Sequence, residues 1–166
     1  MAKTYDEIAS YTFGSAATSY QFGNIPAAWT DLILVSSVKW NTGGSAGTLT
    51  LQFNGDTSTN YSWTYLQGNG TAASSGRGTN STVIAAGYGG SSSGSTFATG
   101  ICHIFNYANA TTFKTCLARA DNADAATQTW VSLWRQTPQP IVSILVNGPY
   151  QFAAGSSLSL YGIKAA

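Results

Sequence analysis

The sequence predicts an all-β protein, a single domain over residues 1–166 built as a two-sheet antiparallel sandwich of jelly-roll type with about ten strands. Three observations predict it. Apolar residues recur with a period of two in short runs, which is the pattern of a strand with one buried face. Turn-forming dipeptides close several runs: Asn54-Gly55, Asn69-Gly70 and Asn147-Gly148. Helical signals are weak, and nothing suggests βαβ units; the Ala- and Asp-rich stretch 118–126 makes at most one turn.

The strand candidates follow in chain order. Residues 8–13 come first, then 19–22 after Gly14-Ser15. The longest early candidate is 31–40, where Leu32-Ile33-Leu34-Val35 is apolar throughout and predicts cover on both faces. Residues 48–53 alternate cleanly and end at Asn54-Gly55, the strongest short hairpin signal in the chain. The next runs are 61–66, 81–86, 96–108, 113–119, 127–135, 141–146 and 157–163. Two stretches rich in Gly, Ser and Thr, 68–80 and 87–95, read as long flexible connectors in solvent. The alternative is that they are contact loops which order against a neighbour.

Charge is the unusual quantity. Charged residues make up 8% of the chain, against about 25% in an average soluble domain. The net charge of +1 and 13% aromatics argue against disorder. A surface so poor in charge has little self-repulsion and suits a subunit covered by neighbours. Lys3, Lys39, Arg77, Lys114, Arg119, Arg135 and Lys164 form no cluster in sequence, so no nucleic-acid partner is expected. No run approaches the ~20 apolar residues of a membrane-spanning helix, so no membrane partner is expected. The N-terminal residues lack the apolar core of a secretory signal, which predicts synthesis and folding in a cytosol. The sequons at Asn60, Asn69, Asn80 and Asn109 are then chance products of an Asn/Ser/Thr-rich composition.

No residue set assembles into chemistry, and no catalytic, cofactor-binding or metal-ligating residue is assigned. Gly90-Ser91-Ser92-Ser93-Gly94 matches the nucleophile-elbow pattern but lacks the strand–turn–helix context that pattern needs. His103, the only histidine, falls inside a predicted strand and reads as a packed or interface residue. Glu7 is the only glutamate; Asp6, Asp31, Asp56, Asp121 and Asp124 fall in predicted loops or at strand edges. A glycosidase needs two converging carboxyls, and Asp31 with Asp56 is the pair to examine. Residues 54–60 form an oxygen-rich loop with one carboxylate, too few for a calcium site, so a plain hairpin loop is the better reading. Two cysteines cannot close a structural zinc site. A hairpin centred on Asn109 would set Cys102 directly opposite Cys116; two reduced, packed thiols are expected, with a disulfide as the alternative. Trp29, Trp40, Trp63, Trp130 and Trp134 read as core or interface, and a surface stripe for stacking on sugar rings is the alternative.

Several segments resemble a known group. They are Tyr5-Asp6-Glu7-Ile8-Ala9-Ser10-Tyr11-Thr12, residues 25–34, Gln52-Phe53-Asn54-Gly55-Asp56 with Asn60-Tyr61-Ser62, Asn106-Tyr107-Ala108 followed by Lys114-Thr115, Leu133-Trp134-Arg135, and residues 160–166. Together they resemble small virion structural proteins of tailed bacteriophages over nearly the whole chain. The resemblance implies a jelly-roll-like sandwich, homotrimeric, on the outer surface of a virion and made in the host cytoplasm. It carries over no catalytic residue. It does not fix the place on the particle; the first reading is a capsid decoration or cement protein that binds the major capsid protein or other virion proteins of the assembled head. The alternative is a receptor-binding module on a tail or head fibre that recognises host surface glycans. The N-terminal segment 1–10 and the Gly/Ser-rich loops are the candidate contact regions, the former as an arm.

Overall fold

A computed structural model describes residues 4–164. Among them run twelve strands and no helix: β1 (Tyr5–Thr12), β2 (Ala17–Phe22), β3 (Asp31–Val38), β4 (Gly47–Phe53), β5 (Tyr61–Gly68), β6 (Ala73–Ser81), β7 (Ile84–Gly89), β8 (Ala98–Ile104), β9 (Lys114–Asn122), β10 (Ala126–Trp134), β11 (Ile144–Phe152) and β12 (Ser157–Ile163). They form two antiparallel sheets. The larger has eight strands in the order β1-β12-β3-β8-β9-β10-β5-β6, and the smaller has four in the order β2-β11-β4-β7. The all-β sandwich is therefore as expected.

Period two in the sequence becomes burial on alternate sides. In β9, Lys114, Cys116, Ala118, Ala120 and Asn122 are buried, while the residues between them are exposed. The core joins Leu32, Leu34, Ile104, Leu158 and Leu160 of the large sheet to Leu49, Leu51, Phe53, Ile144 and Val146 of the small one. Full burial of one such side chain is worth ~1.5–3 kcal/mol. An exposed ion pair such as Lys164–Asp6, at 3.6 Å, contributes at most about 1 kcal/mol, so the core holds the sheets together.

Four features depart from the sequence reading. More than half of the expected flexible loop 68–80 is edge strand β6, joined to β5 by a tight turn in which Asn69 N–H donates to Ala72 O at 3.1 Å. Its inward positions Gly76 and Gly78 lie under the rings of Tyr65 and Trp63, and a Cβ at either would come within 2.6 Å of a ring atom. Asn54 and Gly55 both have positive φ, 52° and 70°, as a primed turn requires, yet the chain passes there from β4 in the small sheet to β5 in the large one. The turn is a corner between sheets and not a hairpin. Asn147-Gly148 lies inside β11 and makes no turn, although the regular pairing with β2 and β4 stops at Asn147. Strand 96–108 stops at Ile104, and the loop begins at Phe105.

The cysteines are also offset. β8 pairs with β9 so that Ile104 faces Cys116 and Cys102 faces Ala118, two residues from the expected register. A shift of two preserves the side, so both thiols still enter the core, free and buried. Burial, with Cys102 as a neighbour, pushes the Cys116 thiol well above its ordinary value. Neither thiol should react with a maleimide in the native protein, and both should react once it is denatured. Rapid native labelling would contradict this packing.

Candidate functional site

The residues singled out for chemistry are held by packing and by local hydrogen bonds. Asp31 opens β3. Its Oδ2 lies 2.9 Å from His103 Nε2, and its Oδ1 accepts the Asn106 N–H at 2.7 Å. The His103 ring stacks on Phe105 with centroids 3.9 Å apart. The pair thus ties the start of β3 to the end of β8 and the loop after it. Among the described residues no hydroxyl or thiol bonds to the His103 ring, so no activated nucleophile is formed there.

Asp56 is held differently. Its Oδ1 accepts the Ser58 N–H at 2.9 Å, and its Oδ2 accepts Trp134 Nε1–H at 2.7 Å and Asn60 Nδ2–H at 3.0 Å. Burial raises the carboxyl pKa, but these hydrogen bonds outweigh it and leave the group below its ordinary value. Beneath this loop Tyr61 donates to Asp56 O and accepts from Phe53 N–H, each at 3.0 Å. Burial above all pushes the Tyr61 phenol up to about 12. Asp56 therefore anchors the corner between the sheets. Strands β8 and β9 stand between Asp31 on β3 and Trp134 on β10. Three strand spacings make roughly 14 Å along the sheet, beyond the ~5–9.5 Å span of a glycosidase carboxyl pair. The two carboxyls belong to separate structural clusters.

The serines of 90–94 bond to the facing loop 41–46. Ser91 Oγ donates to Gly44 O at 2.8 Å, and Gly44 N–H donates to Ser92 Oγ at 2.8 Å. Lys39 Nζ adds a bond to Gly94 O at 3.1 Å. This part of the expected connector 87–95 is stapled to its neighbour, and its first three residues complete β7. Sequence patterning missed Lys114, which is almost fully buried. Its ammonium donates to Asn109 O and Thr112 O, both at 2.6 Å, closing the loop between β8 and β9. Its alternation with apolar positions along β9 was the available signal. No group of three His, Cys, Asp or Glu side chains able to hold a metal ion occurs among the described residues.

The tryptophans pack on the protein itself. Trp29 lies over Gly162 and donates to Asp6 Oδ2 at 3.0 Å. Trp63 and Trp130 meet edge-on at 5.3 Å, and Trp130 lies 4.6 Å from Tyr65. Trp134 stacks on Tyr61, and Trp40 is fully buried against Tyr150 and Phe152.

What is left is surface, and its two broad faces differ. The outward residues of the small sheet are mainly polar: Ser19, Gln21, Thr48, Thr50, Gln52 and Asn147, with the half-buried Leu145 and Tyr88 among them. The large sheet turns aliphatic side chains outward in two adjacent cross-strand rows. One runs Val35–Ile101–Arg119–Thr129–Leu66, and the other Ile33–His103–Leu117–Val131–Thr64. Val35, Ile101, Leu117, Val131 and Leu66 are exposed, from 38% at Val35 to 62% at Leu66. No protein-family model, curated protein or solved structure matches the chain.

Of the contact arm read at 1–10, residues 5–10 lie in β1, paired with β12 at one edge of the large sheet. Residues 1–3 lie outside the described residues.

Proposed function

We propose that the chain is a non-catalytic virion structural protein, a capsid decoration protein that binds the outside of an assembled phage head and stabilises it. One observation carries this reading: the groups from which an active site could be drawn, Asp31, Asp56, His103, Cys102, Cys116 and Ser91–Ser93, are engaged in packing or structural hydrogen bonds. The virion assignment itself comes from the resemblance of the segments named above. The proposal includes the jelly-roll type of sandwich, the homotrimer, the location on the virion surface after synthesis in the host cytoplasm, and the major capsid protein as partner.

The mechanism is mass action. A protein that binds the assembled shell and not its free subunits stabilises assembly by its binding free energy. The stapled loops 41–46 and 90–94 offer a pre-ordered contact, which lowers the entropy lost on docking. Added to shells stripped of it, the purified protein is expected to bind saturably and to raise the temperature at which the shells come apart. Absence of both effects sinks the assignment. Binding to host-cell glycans in place of shells would move it to a fibre-tip adhesin.

A further inference from the structure

We infer that the outer face of the large sheet is a self-association surface, occupied by a second copy of this chain. The inference rests on the geometry of that face and holds whether or not the protein belongs to a virion.

The apolar content is concentrated. Six of the nine exposed large hydrophobic side chains among the described residues stand on this face, Tyr5 on β1 and five in two neighbouring rows across β3, β8, β9, β10 and β5. Scattered exposed aliphatics are ordinary, but a contiguous set marks an interface. The small sheet turns a mainly polar face outward, so exposure of this kind is not general to the molecule.

The area is that of a stable dimer. Eight strands spaced ~4.8 Å apart, each about eight residues long at ~3.4 Å per residue, give the whole face a plan area of roughly 1000 Å², with the two aliphatic rows at its centre. A standard interface buries about 800 Å² per partner. Against a total accessible surface of 7957 Å² that is about a tenth, the usual share for a small protein.

Charge on the face also suits a copy of itself. Arg77 and Arg119 stand against Glu7, Asp31 and Asp121, so identical faces meet with both signs present and no strong net repulsion. A strongly charged partner finds no single-signed field to select it.

Edge-to-edge pairing is the competing route to assembly, and a bulge shortens the regular run on each edge of this sheet, to residues 73–78 on β6 and 9–12 on β1. The β1–β12 ladder shifts register between Glu7 and Ala9, and the β5–β6 ladder shifts between Tyr61 and Trp63. Such bulges break the regular row of free backbone groups that a pairing strand requires. Face-to-face packing needs no free edge, and aligned sheets pack ~10 Å apart.

The test is sedimentation of the full chain from micromolar to millimolar concentration. The wild type is expected to sediment as a dimer through this face, or as pairs of the proposed trimer where that separate contact forms as well. Leu117→Lys with Val131→Lys places two ammonium groups on each copy at the centre of the face and is expected to weaken association at least about a hundredfold. Ser19→Lys, on the outer face of the small sheet, is expected to leave assembly unchanged. Should the double lysine variant not fold, Leu117→Thr with Val131→Thr keeps strand propensity while removing apolar area, and the same loss of association is expected. Near-ultraviolet circular dichroism checks that each variant keeps the native core. A wild type that stays monomeric throughout overturns the inference, as does a folded face variant that assembles like the wild type.

Discussion

Gly148→Ala is expected to destabilise the fold by about 3 kcal/mol, the upper part of the range for forcing one extra carbon into a packed core. The reason is Trp40, which is fully buried. A Cβ built on Gly148 would lie 2.2 Å from Cη2 of the indole, and one built on Gly89 would lie 2.2 Å from its Cε2. A third glycine, Gly47, would bring a Cβ to 3.2 Å from Nε1. The ring is rigid and is held by Tyr150 and Phe152, so it cannot swing aside as the end of a lysine can. For a domain of this size the loss corresponds to a fall in Tm of roughly 6–12 °C. Gly14→Ala serves as the control, because a Cβ there meets nothing within 4 Å. A second measurement separates crowding from any backbone requirement. Trp40→Phe removes the outer ring atoms that the new methyl would strike, together with an Nε1–H that is buried without a partner. Trp40→Phe combined with Gly148→Ala should therefore be less destabilised than the sum of the two single changes. Strict additivity, or an unchanged Tm for Gly148→Ala, would refute the slot.

This slot explains why part of the fold was legible in the sequence and part was not. Strands such as β9 and β10 write their own burial into alternate residues, so period two located them. Strand β6 does not. Its inward positions are Gly76 and Gly78, and the apolar cover for them belongs to Tyr65 and Trp63 on β5. The pattern that makes β6 a strand is held by its neighbour. Asn147-Gly148 misled for a related reason: the glycine serves a ring that is distant in sequence, and the dipeptide forms no turn. At Asn54-Gly55 the local chemistry was correct, because both residues take the left-handed conformation. Which sheet the chain enters next depends on tertiary packing, and no dipeptide encodes it. The cysteines follow the same logic. Strand parity was readable and put both thiols in the core, whereas register depends on the geometry of the loop 105–113. That loop is set by Lys114 bonding back to Asn109 and Thr112, an interaction for which sequence has no period.

The candidate chemistry divides in the same way. A structural reading of Asp31, Asp56 and His103 could be argued from their sparseness. Which partner each takes could not, since His103 with Asp31 and Asp56 with Trp134 are 72 and 78 residues apart. The aliphatic outer face was equally hidden. Each strand shows one or two apolar residues on its solvent side, and only the pairing of β3, β8, β9, β10 and β5 gathers them into two rows.

Asp56→Ala is expected to cost about 3 kcal/mol, as much as a core truncation, although it removes a carboxylate from a loop. The cost is set by what is left behind. Ser58 is exposed and its N–H can turn to water, but Trp134 is only 2% exposed and its Nε1–H has no other acceptor among the described residues. Asp56→Asn keeps the shape but places an N–H donor where one of two accepting oxygens stood, so it should recover only part of the loss. Trp134→Phe deletes the donor, and in the double variant the two losses should not add, because the second change removes the group that the first had orphaned. The pH dependence follows from the same bonds. The folded-state pKa of Asp56 lies below 3.8, so the native state binds fewer protons than the unfolded chain between that lower value and 3.8. Its contribution is complete above 3.8 and is lost as pH falls through the folded value. The gap between wild type and Asp56→Ala should thus be widest at neutral pH and narrow in acid by the part that depends on the carboxylate charge, as read from urea midpoints at fixed pH. A gap that does not shrink in acid would mean that the carboxylate charge contributes nothing and that the loop is held by shape alone.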